Sequence, residues 1–160
     1  MDQLINVGVA QAKNASSPAV LRTILGSCVA ICIYERMKKI GGLVHILLPT
    51  SQDPAVNPEK YADSGISLLV KKLLKEGANK DFISAKIAGG ASMFKFESNI
   101  ALGKIGERNI EETKATLKKF GISLVAEDVG GNNGRVVDFF LEDGRMKVKA
   151  AGEEKYYYKV

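Results

Sequence analysis

Tryptophan is absent from these 160 residues, histidine occurs once and cysteine twice. That scarcity argues against a structural zinc centre, because one histidine and two cysteines four positions apart do not complete a tetrahedral ligand set. No apolar run approaches the roughly 20 residues that span a bilayer, and Met1-Asp2-Gln3-Leu4 lacks the basic start and long apolar stretch of a secretory signal. A cytoplasmic location without membrane insertion is expected. Cys28 and Cys32 on one strand would lie about 13 Å apart along it, too far for a disulfide, which fits a reducing compartment. No glycine loop ends in Gly-Lys-Ser or Gly-Lys-Thr, and Gly89-Gly90 lacks dinucleotide-fingerprint spacing, so no nucleotide or other cofactor is expected.

Positive charge is in excess, with 23 Lys and Arg against 18 Asp and Glu, but it is dispersed as Lys38-Lys39, Lys71-Lys72, Lys118-Lys119 and single residues. Without an aromatic-studded basic strand or a recognition helix, this is not a nucleic-acid footprint; it would suit docking on an acidic protein surface. A content of 46% hydrophobic and 26% charged residues is that of an ordinary globular chain, and residues 1–160 are expected to form a single domain.

Alternation and punctuation predict strands over Leu4–Val9, Val20–Leu25, Ser27–Tyr34 and Ile40–Leu48, then over Phe82–Ala88, Ile122–Ala126, Arg135–Leu141 and Met146–Ala150. A last strand includes Tyr156–Tyr158. Helical periodicity predicts helices over Ala62–Glu76 and Gly106–Lys119, the first with Ile66, Leu69, Val70, Leu73 and Leu74 on one stripe, the second with Ile110, Thr113 and Leu117 inward. Gly77 and Gly121 stand where each helix should stop. Three of the four prolines fall in Pro49–Pro58, which must be a loop and leaves directly from the histidine strand. The order implies an α+β fold, a layered α/β sandwich of mixed, largely antiparallel sheets flanked by two main helices.

Chemistry concentrates in Leu25-Gly26-Ser27-Cys28-Val29-Ala30 and, seventeen residues after the cysteine, His45. A thiol becomes a strong nucleophile on losing its proton, and an imidazole can take that proton and return it to a leaving group. If the hairpin turns between Arg36 and Met37, Cys28 directly opposes His45, with Cβ atoms about 4.5–5.5 Å apart on one face. A four-residue loop Glu35–Lys38 has that centre, and a slip by one residue would separate the pair. Cys32 reads as core filler. Gly26-Ser27, Gly89-Gly90 and Gly130-Gly131 could aim backbone amides at a developing oxyanion, or could simply be turns. Glu127-Asp128 reads as solvated loop charge.

These motifs, with Lys86-Ile87-Ala88-Gly89-Gly90-Ala91-Ser92-Met93-Phe94 and Ala126-Glu127-Asp128-Val129-Gly130-Gly131, resemble the CheD family over about Val7–Val148. The resemblance implies a chemoreceptor glutamine deamidase, a protein-glutamine glutaminase of chemotaxis that converts receptor glutamine amides to glutamate and ammonia through a cysteine thioester. It also implies activity on receptor glutamyl methyl esters, a fold like the catalytic domain of cytotoxic necrotizing factor toxins, the cytoplasmic helical region of chemoreceptors as substrate, and the CheC phosphatase as a partner. A role mainly as binder of CheC is the alternative, and a cysteine peptidase or general amidase the next. In the family a threonine six residues before the cysteine completes the catalytic set, but here that position is Arg22 and Thr23 follows. Neighbours on a strand face opposite ways, so either a bulge restores Thr23 to the site or another group, such as a backbone carbonyl, orients His45.

Overall fold

The computed structural model describes residues 3–93 and 104–160. Phe94, the last residue of the motif that begins at Lys86, falls outside them, as do Met1 and Asp2. In chain order the elements are β1 Leu4–Asn6, β2 Ala12–Ser16, β3 Val20–Leu25, β4 Val29–Glu35, β5 Ile40–Ile46, α1 Ala62–Lys75, β6 Ile83–Gly89, α2 Ile105–Lys119, β7 Ser123–Val129, β8 Arg135–Phe140, β9 Met146–Ala150 and β10 Glu153–Tyr157. They build two five-stranded sheets, ordered β1-β3-β8-β9-β10 and β2-β5-β4-β6-β7. Among the described pairs of strands, β1 with β3 and β6 with β7 are parallel and the others antiparallel. The expected α+β layered fold, mixed and largely antiparallel, is the one observed.

Side-chain alternation assigns the layers. From the centre of the second sheet, Val29, Ile31 and Ile33 of β4 face the helices and join Val44, Ile46, Ile66, Leu69 and Leu73 in one core. The alternate residues Ala30, Cys32 and Tyr34 face the other sheet and meet Leu21, Leu43, Phe139 and Met146 in a second core. Helices, central sheet and outer sheet therefore stack in that order, and β4, buried at every residue, is apolar on both faces because each face is covered. Cys32 is core filler, as expected.

Both helices end as their glycines predict. Gly77 N–H donates to Leu74 O and Ala78 N–H to Leu73 O; Gly121 and Ile122 repeat the pattern on Lys118 and Leu117. These are Schellman caps, and Leu117 and Ile122 both pack into the helix-side core beside the second one. The strand β2 has no counterpart among the sequence expectations. Its Ala12-Lys13-Asn14-Ala15-Ser16 is polar and half-exposed, and pairing with β5, not its own pattern, makes it a strand.

Candidate active site

The chain leaves β3 at Leu25, bends through Gly26-Ser27-Cys28 and enters β4 at Val29, and in doing so crosses from the outer to the central sheet. This crossing decides the direction of Thr23. Thr23 lies between Leu21 and Leu25 on the inward face of the outer sheet, while His45 shares with Leu43 the face of the central sheet that looks back at it. The two side chains meet across the layer, Thr23 Oγ1 to His45 Nδ1 at 2.7 Å, each residue 2% exposed. No bulge is required, because strand parity does not carry through a bend that changes sheets. Arg22 points to the outer surface and forms a bidentate pair with Asp138 at 2.6 and 2.9 Å.

The hydroxyl has one proton, and Thr23 Oγ1 also stands 2.7 Å from the carbonyl oxygen of Val7, which can only accept. Thr23 therefore donates to Val7 O and accepts from His45 Nδ1–H. This puts the imidazole proton on Nδ1 and the lone pair on Nε2, a buried atom without a hydrogen-bond partner among the described residues. The carbonyl considered as an alternative to threonine is thus present as well, acting through the threonine. His45 is held along its backbone too: its N–H donates to Gln11 O at 3.0 Å and its carbonyl accepts from Ala10 N–H at 2.9 Å.

The expected opposition of Cys28 and His45 needs correction. Residue numbers in the β4–β5 ladder sum to 75, so His45 opposes Ala30, and the last rung is Val29 with Ile46. Glu35 causes the shift. Its carboxylate accepts the N–H groups of Met37 and Lys38 at 2.6 and 3.0 Å, so Glu35 remains in the strand and the loop is Arg36–Lys39. A shift of two residues in the pairing sum preserves parity. Cys28, one residue before β4 and outside the ladder, packs against the core between the two sheets, the core to which Ala30 and Cys32 belong.

Burial sets the resting protonation of both groups. Removal from water lowers the His45 pKa from 6.5 to about 4 and raises that of the Cys28 thiol. The pair at neutral pH is therefore a thiol and a neutral imidazole. An open depression of about 280 Å³ reaches His45 past Val7, Gly8, Val9, Thr23 and Ile24, with Val9 and Ile24 strongly exposed at its rim. A larger one of about 380 Å³ lies between α1 and α2 and includes Ser51, Pro54 and Pro58. The proline loop thus borders the helical side rather than His45, and that larger groove contains neither thiol nor imidazole.

The glycine loops brace the bend. Gly90 N–H donates to Cys28 O at 2.8 Å, Ala91 N–H to Gly26 O at 3.2 Å, and Gly130 N–H to Gly89 O at 3.0 Å. With those amides committed, Gly90 and Gly130 are not available as oxyanion donors, contrary to expectation. Gly89 has φ +113°, and a Cβ there would overlap the Cys28 carbonyl oxygen, so the close approach of the two loops requires glycine. Gly131 contributes its carbonyl to Ser92 N–H at 2.8 Å. Asp128 is not a solvated loop charge: it pairs with buried Arg135 at 2.9 Å and accepts from Tyr157 Oη, while Arg135 also donates to Gly130 O at 2.8 Å. Glu127 pairs with Lys114. Sequence reasoning missed Arg135 and Asn109 of α2; a lone asparagine on the apolar stripe of a helix was the available signal for the latter.

A family model described as CheD chemotactic sensory transduction matches residues 47–150. The chain is 49% identical to a probable chemoreceptor glutamine deamidase CheD of Caldanaerobacter subterraneus subsp. tengcongensis, covering 97% of this chain and 98% of that one. Proteins of the same description in Desulfitobacterium hafniense and Methanococcus maripaludis are 44% and 45% identical over 93% and 88% of this chain and 94% and 91% of theirs. Among solved structures, the hypothetical protein YfiH of Bacillus licheniformis superposes with a TM-score of 0.48 at 18% identity, over 73% of this chain and 49% of that one.

Proposed function

Since the chain belongs to the CheD family, we propose that it is a chemoreceptor glutamine deamidase with Cys28 as nucleophile, His45 as base and Thr23 as the group that orients the base. The observation that carries this reading is the chain Val7 O, Thr23 Oγ1, His45 Nδ1, which leaves Nε2 as the basic nitrogen of an imidazole that faces the layer into which Cys28 packs. With both partners neutral at rest, the thiol proton moves to Nε2 as sulfur attacks the carboxamide carbon. The tetrahedral oxyanion is met by backbone amides of the Gly26-Ser27-Cys28 bend. Collapse to the thioester expels ammonia, which takes the proton from Nε2. A water then attacks the thioester with Nε2 again as base, and the thiol returns; the sum is glutamine plus water giving glutamate plus ammonia. A glutamyl methyl ester follows the same course with methanol as leaving group. Val9 and Ile24 offer apolar surface to a receptor helix at the rim of the depression that reaches His45.

The test is incubation of a receptor cytoplasmic fragment with the wild type and with Cys28→Ala, read by ammonia release and peptide mass. The expected result is a gain of about one mass unit per converted glutamine with the wild type and none with the variant. Deamidation by Cys28→Ala would end the thioester mechanism, and new peptide termini would replace deamidation by proteolysis.

A further inference from the structure

The β4–β5 ladder stops at Val29 and Ile46, one residue short of the nucleophile. Cys28 therefore lies where an antiparallel pair begins to fray, yet its sulfur must hold a position against an imidazole on the neighbouring strand. Across that gap lies Asn109, fully buried on α2. Its Nδ2 donates to Leu47 O at 2.9 Å and to Ser27 O at 3.4 Å, one carbonyl two residues past His45 and the other immediately before Cys28. We propose that Asn109 is a positioning residue for this reaction, a side-chain rung that extends the ladder beyond its last backbone pair and keeps thiol and imidazole in register.

A second observation brings the helix to this place for the same purpose. The first turn of α2 sits against the loop that holds the Cys28 carbonyl: a Cβ on Gly106 would come 2.5 Å from Gly90 O and 2.9 Å from Ala91 O. Glycine at 106 lets the helix backbone approach that closely, and Asn109 follows one turn later. Packing alone does not account for an asparagine here. The inner face of α2 carries Asn109, Thr113 and Thr116 beside Leu117, and Asn109 Oδ1, like Thr113 Oγ1 one turn on, is buried with no partner among the described residues, a desolvation cost that leucine at 109 would avoid. The amide costs stability and contributes geometry at the two strands that carry the chemistry.

The inference rests on the Cys28–His45 reading, so its test has a readout independent of the receptor. Asn109→Leu keeps the volume and removes the donor. Where the folded variant melts at or above the wild-type temperature, kcat on a receptor fragment should fall about 10- to 100-fold, with KM within about twofold, as expected for a misplacement near 1 Å. The pH profile of Cys28 alkylation by iodoacetamide, followed on its peptide with buried Cys32 as internal control, should move to that of His45→Ala. If Asn109→Leu does not fold, Asn109→Ala is measured in its place. A kcat and alkylation profile within twofold of wild type, a loss confined to KM, or a lowered kcat with unchanged alkylation would each overturn the proposal. A wild type whose alkylation depends on His45 but which releases no ammonia overturns the deamidase reading alone and leaves the alkylation comparison valid.

Discussion

The two faces of the central sheet have opposite characters. Toward the helices it presents Val29, Ile31, Ile33, Val44, Ile46 and Ile87, large aliphatic side chains packed on Leu69 and Leu73. Toward the outer sheet it presents, beside the larger Tyr34 and Leu43, the small residues Ala30, Cys32 and Ala88, with His45 and, on β6, buried Lys86, which donates to Gly144 O at 2.7 Å. One face stabilises through area removed from water, roughly 1.5–3 kcal/mol for each fully buried aliphatic side chain. The other accepts polar groups, each of which must find a partner or remain available for chemistry. One face of the sheet is aliphatic; the other combines a second core with the groups of the proposed chemistry.

That division can be broken from either side. Thr23→Val keeps shape on the polar face but leaves Nδ1–H and Val7 O without the hydroxyl between them; kcat should fall about 10²- to 10³-fold in steady-state assays, equal to roughly 2.7–4 kcal/mol of barrier. Thr23→Ser should restore most of it, and a Thr23→Val enzyme within a few-fold of wild type would remove Thr23 from the site. Leu69→Ala on the apolar face should cost about 2–5 kcal/mol in denaturant unfolding while kcat at a temperature where the variant is folded stays within about twofold. A large loss of kcat there would mean that the helical face also tunes the chemistry.

Protonation gives a smaller, sharper comparison. Because burial holds the His45 pKa near 4 in the folded protein against 6.5 when exposed, the unfolded chain takes up a proton between these values and the folded one does not. The stability linked to His45 is complete above 6.5 and is lost as pH falls toward 4, a slope that should flatten in His45→Gln when melts are run across this window. The acid limb of kcat/KM should likewise lie well below the usual histidine range. An acid limb at 6.5 would show the imidazole to be hydrated.

How much of this was legible follows from range. Helix stops at Gly77 and Gly121 are local, and both were readable from glycine after an apolar stripe. The thiol of Cys28 and the imidazole of His45 were readable as residue types, and the layer between the sheets into which Cys28 packs is the one that His45 faces. Their direct opposition was misread because Glu35, fully buried, turns its carboxylate back into the loop and retains the strand for one more residue. Thr23 was left between two readings for a different reason: parity was followed along a chain that changes sheets at Gly26-Ser27-Cys28, so a bulge looked necessary where none is. The oxyanion roles of Gly90 and Gly130 failed because their amides were already bonded to Cys28 and Gly89, pairings made between loops far apart in sequence.

By itself the sequence determined the layered class of the fold, the helix ends, and the thiol and imidazole of the proposed site as residue types, since each depends on short-range periodicity, on backbone rules or on side-chain chemistry. Only the tertiary structure decided which nitrogen of His45 is basic, why Arg22 is turned away, and what holds the Cys28 bend. Those depend on Val7, Thr23 and His45 meeting across two sheets and on α2 bringing Asn109 over the end of a ladder. Contacts between segments distant in sequence have no period along the chain, so packing alone makes them definite.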